Sequence, residues 1–132
     1  MRYLGIDYGG KRIGIALSDP GGRLAFPETV ISHGNTQKAA EKIKAILEKE
    51  EVSKIIVGLP LGLDGKETAE SVEVRQFTEG LKKRTMLPME FENEMFTTRM
   101  AKHPGVKKDR LDASAAAIIL QSYLDKQVKR VK

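Results

Sequence analysis

Three carboxylates from distant parts of this 132-residue chain have the type and setting to bind a divalent cation: Asp7, Glu94 and Asp112. Asp7 closes an apolar strand, an unusual place for a charge. Glu94 stands where the segment Pro88–Glu92 runs out through Asn93, and Asp112 lies early in an apolar helical stretch. Oxygen donors without Cys or clustered His suit Mg2+ or Mn2+. Two such ions held between shared carboxylates can activate a water and steady the leaving oxygen of a phosphodiester. Each residue also has a plain structural role open to it. Asp before a Gly-rich turn bonds nearby backbone N–H groups while Gly9 and Gly10 supply positive φ. Asp112, three residues after Asp109, fits the far half of a capping box, and Glu94 fits a solvated acid past a strand end.

The elements that must position these groups follow from the hydrophobic pattern. Tyr3–Asp7 and Arg12–Ser18 read as strands joined by the turn Tyr8-Gly9-Gly10-Lys11. Leu4 and Ile6 point to one side, with Tyr3, Gly5 and Asp7 on the other; Ile13, Ile15 and Leu17 oppose Arg12, Gly14 and Ala16. Pairing the two puts Asp7 on a side kept shallow by Gly5, Gly14 and Ala16, where another backbone or a ligand can come close. Gly5, four residues and then Gly10-Lys11 nearly form a phosphate-binding loop. Arg12 stands where Ser or Thr is needed, however, and a strand follows where a helix should begin.

Leu24–Ile31 reads as a third strand. A helix capped by Asn35 or Thr36 runs to about Glu50, and Lys54–Gly58 reads as a strand buried on both faces. A second helix spans about Glu67 to Arg84, with Ala69, Val72 or Val74, Phe77 and Leu81 on one side. Pro88–Glu92 fits a fifth strand, and Asp109 caps a last helix whose apolar stretch runs from Leu111 to Leu124. Three meandering strands followed by α, β, α, β and a final helix predict an α/β domain over 1–132. Its five-stranded mixed sheet has an antiparallel part, a parallel βαβ part and helices on both faces. Ligands in such sheets gather at the carboxyl ends of the parallel strands.

Charge is uneven. The net +5 comes from 23 Lys and Arg against 18 Asp and Glu, but from Arg99 onward nine basic residues face three acidic ones, a local +6 against −1 for the rest. A basic region favours a polyanion through salt-dependent phosphate contacts. For Arg99–Arg110 this reading stands level with a solvated segment; Lys126–Lys132 reads rather as a solvated tail. With no cysteine, no signal-like start and no membrane-length apolar run, the chain is expected in the cytoplasm, away from membranes.

Four linked motifs resemble the YqgF/RuvX family. They are Leu4–Asp19 (LGIDYGGKRIGIALSD), Val57–Leu61 with Asp64-Gly65, Glu94 followed by Thr97-Thr98, and Leu111–Leu124 (LDASAAAIILQSYL). The resemblance implies an RNase H-like fold related to the RuvC resolvases. It also implies a Mg2+-dependent endonuclease acting on pre-16S rRNA or, for some members, on Holliday junctions. It makes Asp7, Glu94 and Asp112 the catalytic, metal-binding triad and turns Arg12 and Arg75 toward phosphates; Lys11, Arg99, Lys107 and Lys108 are expected beside them as basic nucleic-acid contacts. The chain departs from the family in having Asn93-Glu94-Met95 where Asp-Glu-Arg is usual, which removes a negative charge and a bidentate phosphate clamp. A non-catalytic nucleic-acid-binding module is therefore a further expectation, and a monomer or weak homodimer the expected state.

Overall fold

The computed structural model describes residues 1–32, 35–62, 64–93 and 108–131, and in the final helix the side chains from Ala113 to Gln127. Five strands form one mixed sheet in the order β3-β2-β1-β4-β5. β1 (Tyr3–Tyr8) lies at its centre, antiparallel to β2 (Arg12–Ser18) and parallel to β4 (Lys54–Leu59). β3 (Ala25–Ser32) closes the antiparallel edge and β5 (Met89–Asn93) the parallel one. Pro27, which has no N–H to give to the ladder, sits on the edge strand beside an irregularity in the β2–β3 register.

Side-chain alternation divides the core in two. Leu4, Ile6, Ile13, Ile15, Ile55 and Val57 face α1 (Thr36–Lys49) and α2 (Ala69–Lys82). Ala16 and Ile56 face α3 (Lys108–Val131), which lays Ala116, Ile119, Leu120, Tyr123 and Leu124 over them. The continuous run Ile55-Ile56-Val57 has no exposed surface because both layers cover it. Among the described residues no helix is long and apolar enough to cross a membrane.

Local chemistry sets the helix ends. Asn35 caps α1, its side-chain oxygen accepting from the Gln37 and Lys38 N–H groups at 2.8 and 3.4 Å. Thr68 and Ser71 cap α2 reciprocally, so that helix starts at Ala69 rather than near Glu67. Val74, not Val72, is its buried valine. α3 begins at Lys108, which places Asp109 inside its first turn. Asp109 is therefore not the N-cap, and a capping box between Asp109 and Asp112 is excluded. The helix also continues through Val131, so the basic tail is largely helical.

Candidate active site

Asp7 is the penultimate residue of β1, half-buried, on the face covered by α3. Its cross-strand neighbour on β2 is Gly14. On the other side Gly5 pairs with Ile56, and the same parallel register two residues on brings Gly58 alongside. Neither flanking position carries a Cβ, so the carboxylate stands in a trough between glycines. Tyr8, the next residue, turns to the opposite face, where its ring packs 4.6 Å from that of Phe77 and anchors the strand end to α2. Burial and the nearby Glu73 carboxylate raise the Tyr8 pKa above the usual tyrosine value.

The turn after β1 is held by a 2.8 Å bond from the Gly9 N–H to the Arg12 carbonyl. A Cβ on Gly9 would meet that same oxygen at 2.8 Å, so close approach is what demands glycine. Among the described residues only Gly22 and Gly65 are glycines with positive φ; the expectation of positive φ at Gly9 and Gly10 is corrected accordingly. Lys11 is exposed in the turn. Arg12 is half-buried at the start of β2, on the same face as Gly14 and Asp7.

Helix α3 lies unusually close to the sheet. A Cβ at Gly5 would come within 2.8 Å of the Leu120 Cβ and 3.0 Å of the Ala116 carbonyl. One step back along β1, the rings of Tyr3 and Tyr123 meet edge-on at 5.9 Å. Strand positions 3 and 5 thus face helix positions 123 and then 120 and 116. One more strand step leads to Asp7, and one more helical turn to position 112, whose backbone belongs to α3.

The other expected residues divide as follows. Arg75 lies on α2, on the sheet face opposite Asp7, exposed. Glu67 clamps its guanidinium through two bonds of 2.6 and 3.2 Å, and Phe91 stacks below it at 5.1 Å. That pairing holds the Glu67 carboxyl below its ordinary pKa and raises that of Arg75. Glu94, Arg99 and Lys107 lie outside the described residues. Lys108 and Asp112 belong to α3, but their side chains lie outside the described ones. Among the described residues no three His, Cys, Asp or Glu side chains converge as a metal site, Asp7 being the triad member whose side chain is described. Its carboxylate oxygens, between flanking glycines, are the hard donors that Mg2+ or Mn2+ takes.

Sequence reasoning missed Glu92. It points to the α3 face and is buried, with 5% of its surface exposed. It accepts a 2.8 Å bond from the Ser122 hydroxyl and a 2.7 Å ion pair from Lys126. Lys126, though exposed, thus has a buried acidic partner in the fold. Glu90, on the same face, takes the Tyr123 hydroxyl and the Lys54 ammonium. The signal was the alternation of β5, which puts Glu90 and Glu92 together on the side opposite Met89 and Phe91.

The RuvX family, described as Holliday junction resolvase, matches residues 1–126. A protein of Maridesulfovibrio salexigens named "Putative pre-16S rRNA nuclease" is 37% identical over 94% of this chain and 98% of its own. One of the same name from an Anaeromyxobacter species is 41% identical over 95% and 97%. Among solved structures, T. thermophilus RuvC in complex with a Holliday junction substrate superposes with a TM-score of 0.65 over 98% of this chain and 96% of its own. At 15% identity that likeness concerns the fold, and it bears out the expected RNase H-like sheet.

Proposed function

The chain belongs to the RuvX family, and from that premise we propose that it is an endonuclease hydrolysing phosphodiester bonds in structured nucleic acid, first of all in trimming the 5′ end of pre-16S rRNA. The observation that carries this reading is the setting of Asp7. A half-buried carboxylate stands one residue before the end of the central strand, between glycines, and the α3 register leads position 112 toward it.

Asp7, Glu94 and Asp112 would hold Mg2+ or Mn2+, which when bound supplies an activated water and neutralises charge at the scissile phosphate. The chain's own part is orientation and exclusion. Gly14 and Gly58, which put no Cβ beside Asp7, give the phosphate its approach, while Gly5 lets α3 settle close to the strand. Arg12 stands on the same face, and Lys11 projects from the turn. Lys107, Lys108 and Arg99 add phosphate-seeking charge in the segment before and at the start of α3. Arg75 serves the backbone farther out once it leaves Glu67.

The family description favours a second substrate, the four-way DNA junction. Asp7→Asn, assayed on precursor rRNA and on four-way junctions with Mg2+, tests both. Loss of a ligand that stabilises charge by several kcal/mol predicts a fall of about a hundred-fold or more. Cleavage by D7N at the wild-type rate would refute the site. Wild-type protein that binds nucleic acid but neither binds Mg2+ nor cleaves would make it a binding module, in line with Asn93 and Met95.

A further inference from the structure

Glu92 has no part in the chemistry above, yet it is a buried carboxylate beside the helix that carries Asp112. Its fully formed contacts, Ser122 at 2.8 Å and Lys126 at 2.7 Å, both lie on α3. On the other side of the same helix, the Gln121 side chain accepts from the Ala25 N–H at 2.8 Å and donates to the Arg23 carbonyl at 2.9 Å, next to β3. Helix α3 is thus tied toward both edges of the sheet, and it rests between them on Gly5 through Ala116 and Leu120.

This arrangement works as a lever. The ties at Ser122 and Lys126 centre about six residues beyond the Gly5 contact, roughly 9 Å along the axis. Position 112 lies about six residues on the other side, again roughly 9 Å away. A sideways shift of the helix by about 1 Å at Glu92 would therefore move position 112 by a similar distance the opposite way. A misplacement of that size in a reacting constellation costs on the order of a hundred-fold.

We propose that Glu92 is a positioning residue: through Ser122 and Lys126 it sets the angle of α3 across the sheet and hence the separation of Asp112 from Asp7. The inference rests on the proposed metal site, so its test must fail separately from that site. Glu92→Gln keeps the size of the side chain and can still bond Ser122, but it loses the charge that holds Lys126. The full-length variant is compared with D7N and with Val74→Ala, a core cavity on the opposite sheet face.

Mn2+ binding by calorimetry, the Mg2+ midpoint of cleavage, nucleic-acid affinity in Ca2+ and the melting temperature are measured for each. E92Q is expected to weaken Mn2+ binding and raise the Mg2+ midpoint by about ten-fold, with nucleic-acid affinity within two-fold of wild type. V74A is expected to lower the melting temperature without moving the metal midpoint. Ser122→Ala should move the midpoint the same way by less, and it carries the test if E92Q does not fold. A midpoint unchanged in both E92Q and S122A, while D7N abolishes metal binding, would overturn the positioning role and leave the site intact. Metal binding unchanged in D7N would overturn both.

Discussion

The close approach of α3 to Gly5 gives the sharpest prediction about how this fold makes room for its site. Gly5→Ala adds one methyl group, which would lie 2.8 Å from the Leu120 Cβ and 3.0 Å from the Ala116 carbonyl. Two carbon atoms need about 3.5–4.0 Å, so the helix must rise by roughly 1 Å or the strand must sink. Both groups it would strike are attached directly to the helix backbone, so no rotamer change relieves the overlap. Overpacking of this kind costs about 1–3 kcal/mol. With an unfolding entropy near 2.1 cal/mol/K per residue, a 132-residue chain should lose about 4–11 °C in melting temperature. Lifting α3 also draws position 112 away from Asp7, so cleavage should fall by about a hundred-fold. Leu120→Ala keeps its Cβ and should not rescue the variant. Thermal denaturation and single-turnover cleavage measure the two effects. A G5A protein with wild-type melting temperature and rate would refute the reasoning that this glycine sets the helix height.

Two further outcomes follow from charged pairs. Because Arg75 is engaged by Glu67, Glu67→Gln should tighten nucleic-acid binding a few-fold at low salt, the gain fading as ionic strength rises past about 0.15 M. Equal affinities for wild type, E67Q and Arg75→Gln in filter binding would remove Arg75 from the interface. At the other end of the sheet, the hydrogen bond from Lys54 to Glu90 raises the lysine pKa, and burial followed by the Glu90 bond raises that of Tyr123. In both cases the folded state holds its proton more tightly than the unfolded chain. Their contribution is therefore complete below the ordinary lysine and tyrosine values and is lost as pH rises through the raised folded ones, above about pH 10. Urea midpoints should drop across that range in wild type and less steeply in Lys54→Met; parallel profiles would show that the cluster adds nothing.

Much of this architecture is legible in the sequence because alternation is a direct readout of burial. Leu4 and Ile6 against Tyr3, Gly5 and Asp7 assign both faces of β1, and three successive apolar residues at Ile55–Val57 mark a strand covered on both sides. Errors arose where one residue type serves several ends. Asp109 looks like an N-cap, yet α3 starts before it. Thr68 and Ser71 form a reciprocal cap in which Ser replaces the usual Glu or Gln, so α2 starts later than its hydrophobic pattern suggests. Gly9 suggested a positive φ, whereas its reason is the carbonyl of Arg12. Glu92 was illegible for a different reason. A carboxylate near a strand end is ordinarily solvated, and only the path of α3, thirty residues later in the chain, buries it.

The site and the sheet's stability make opposing demands at the same positions. Gly5, Gly14 and Gly58 lie around Asp7 in strands that are otherwise filled by buried apolar side chains. Each glycine costs roughly 0.5–1 kcal/mol relative to alanine. Covering them with a distant helix through large side chains would leave a void. Instead the Ala116 carbonyl and the Leu120 Cβ of α3 come down onto Gly5, and Leu120, wholly buried there, returns about 1.5–3 kcal/mol on its own. One helix thus offsets the weakness of the glycine at position 5 and runs on from there through position 112. Stability and site are coupled through helix height, so substitutions that enlarge Gly5 or Ala116 should damage both together, whereas removing charge at Asp7 should damage the chemistry alone.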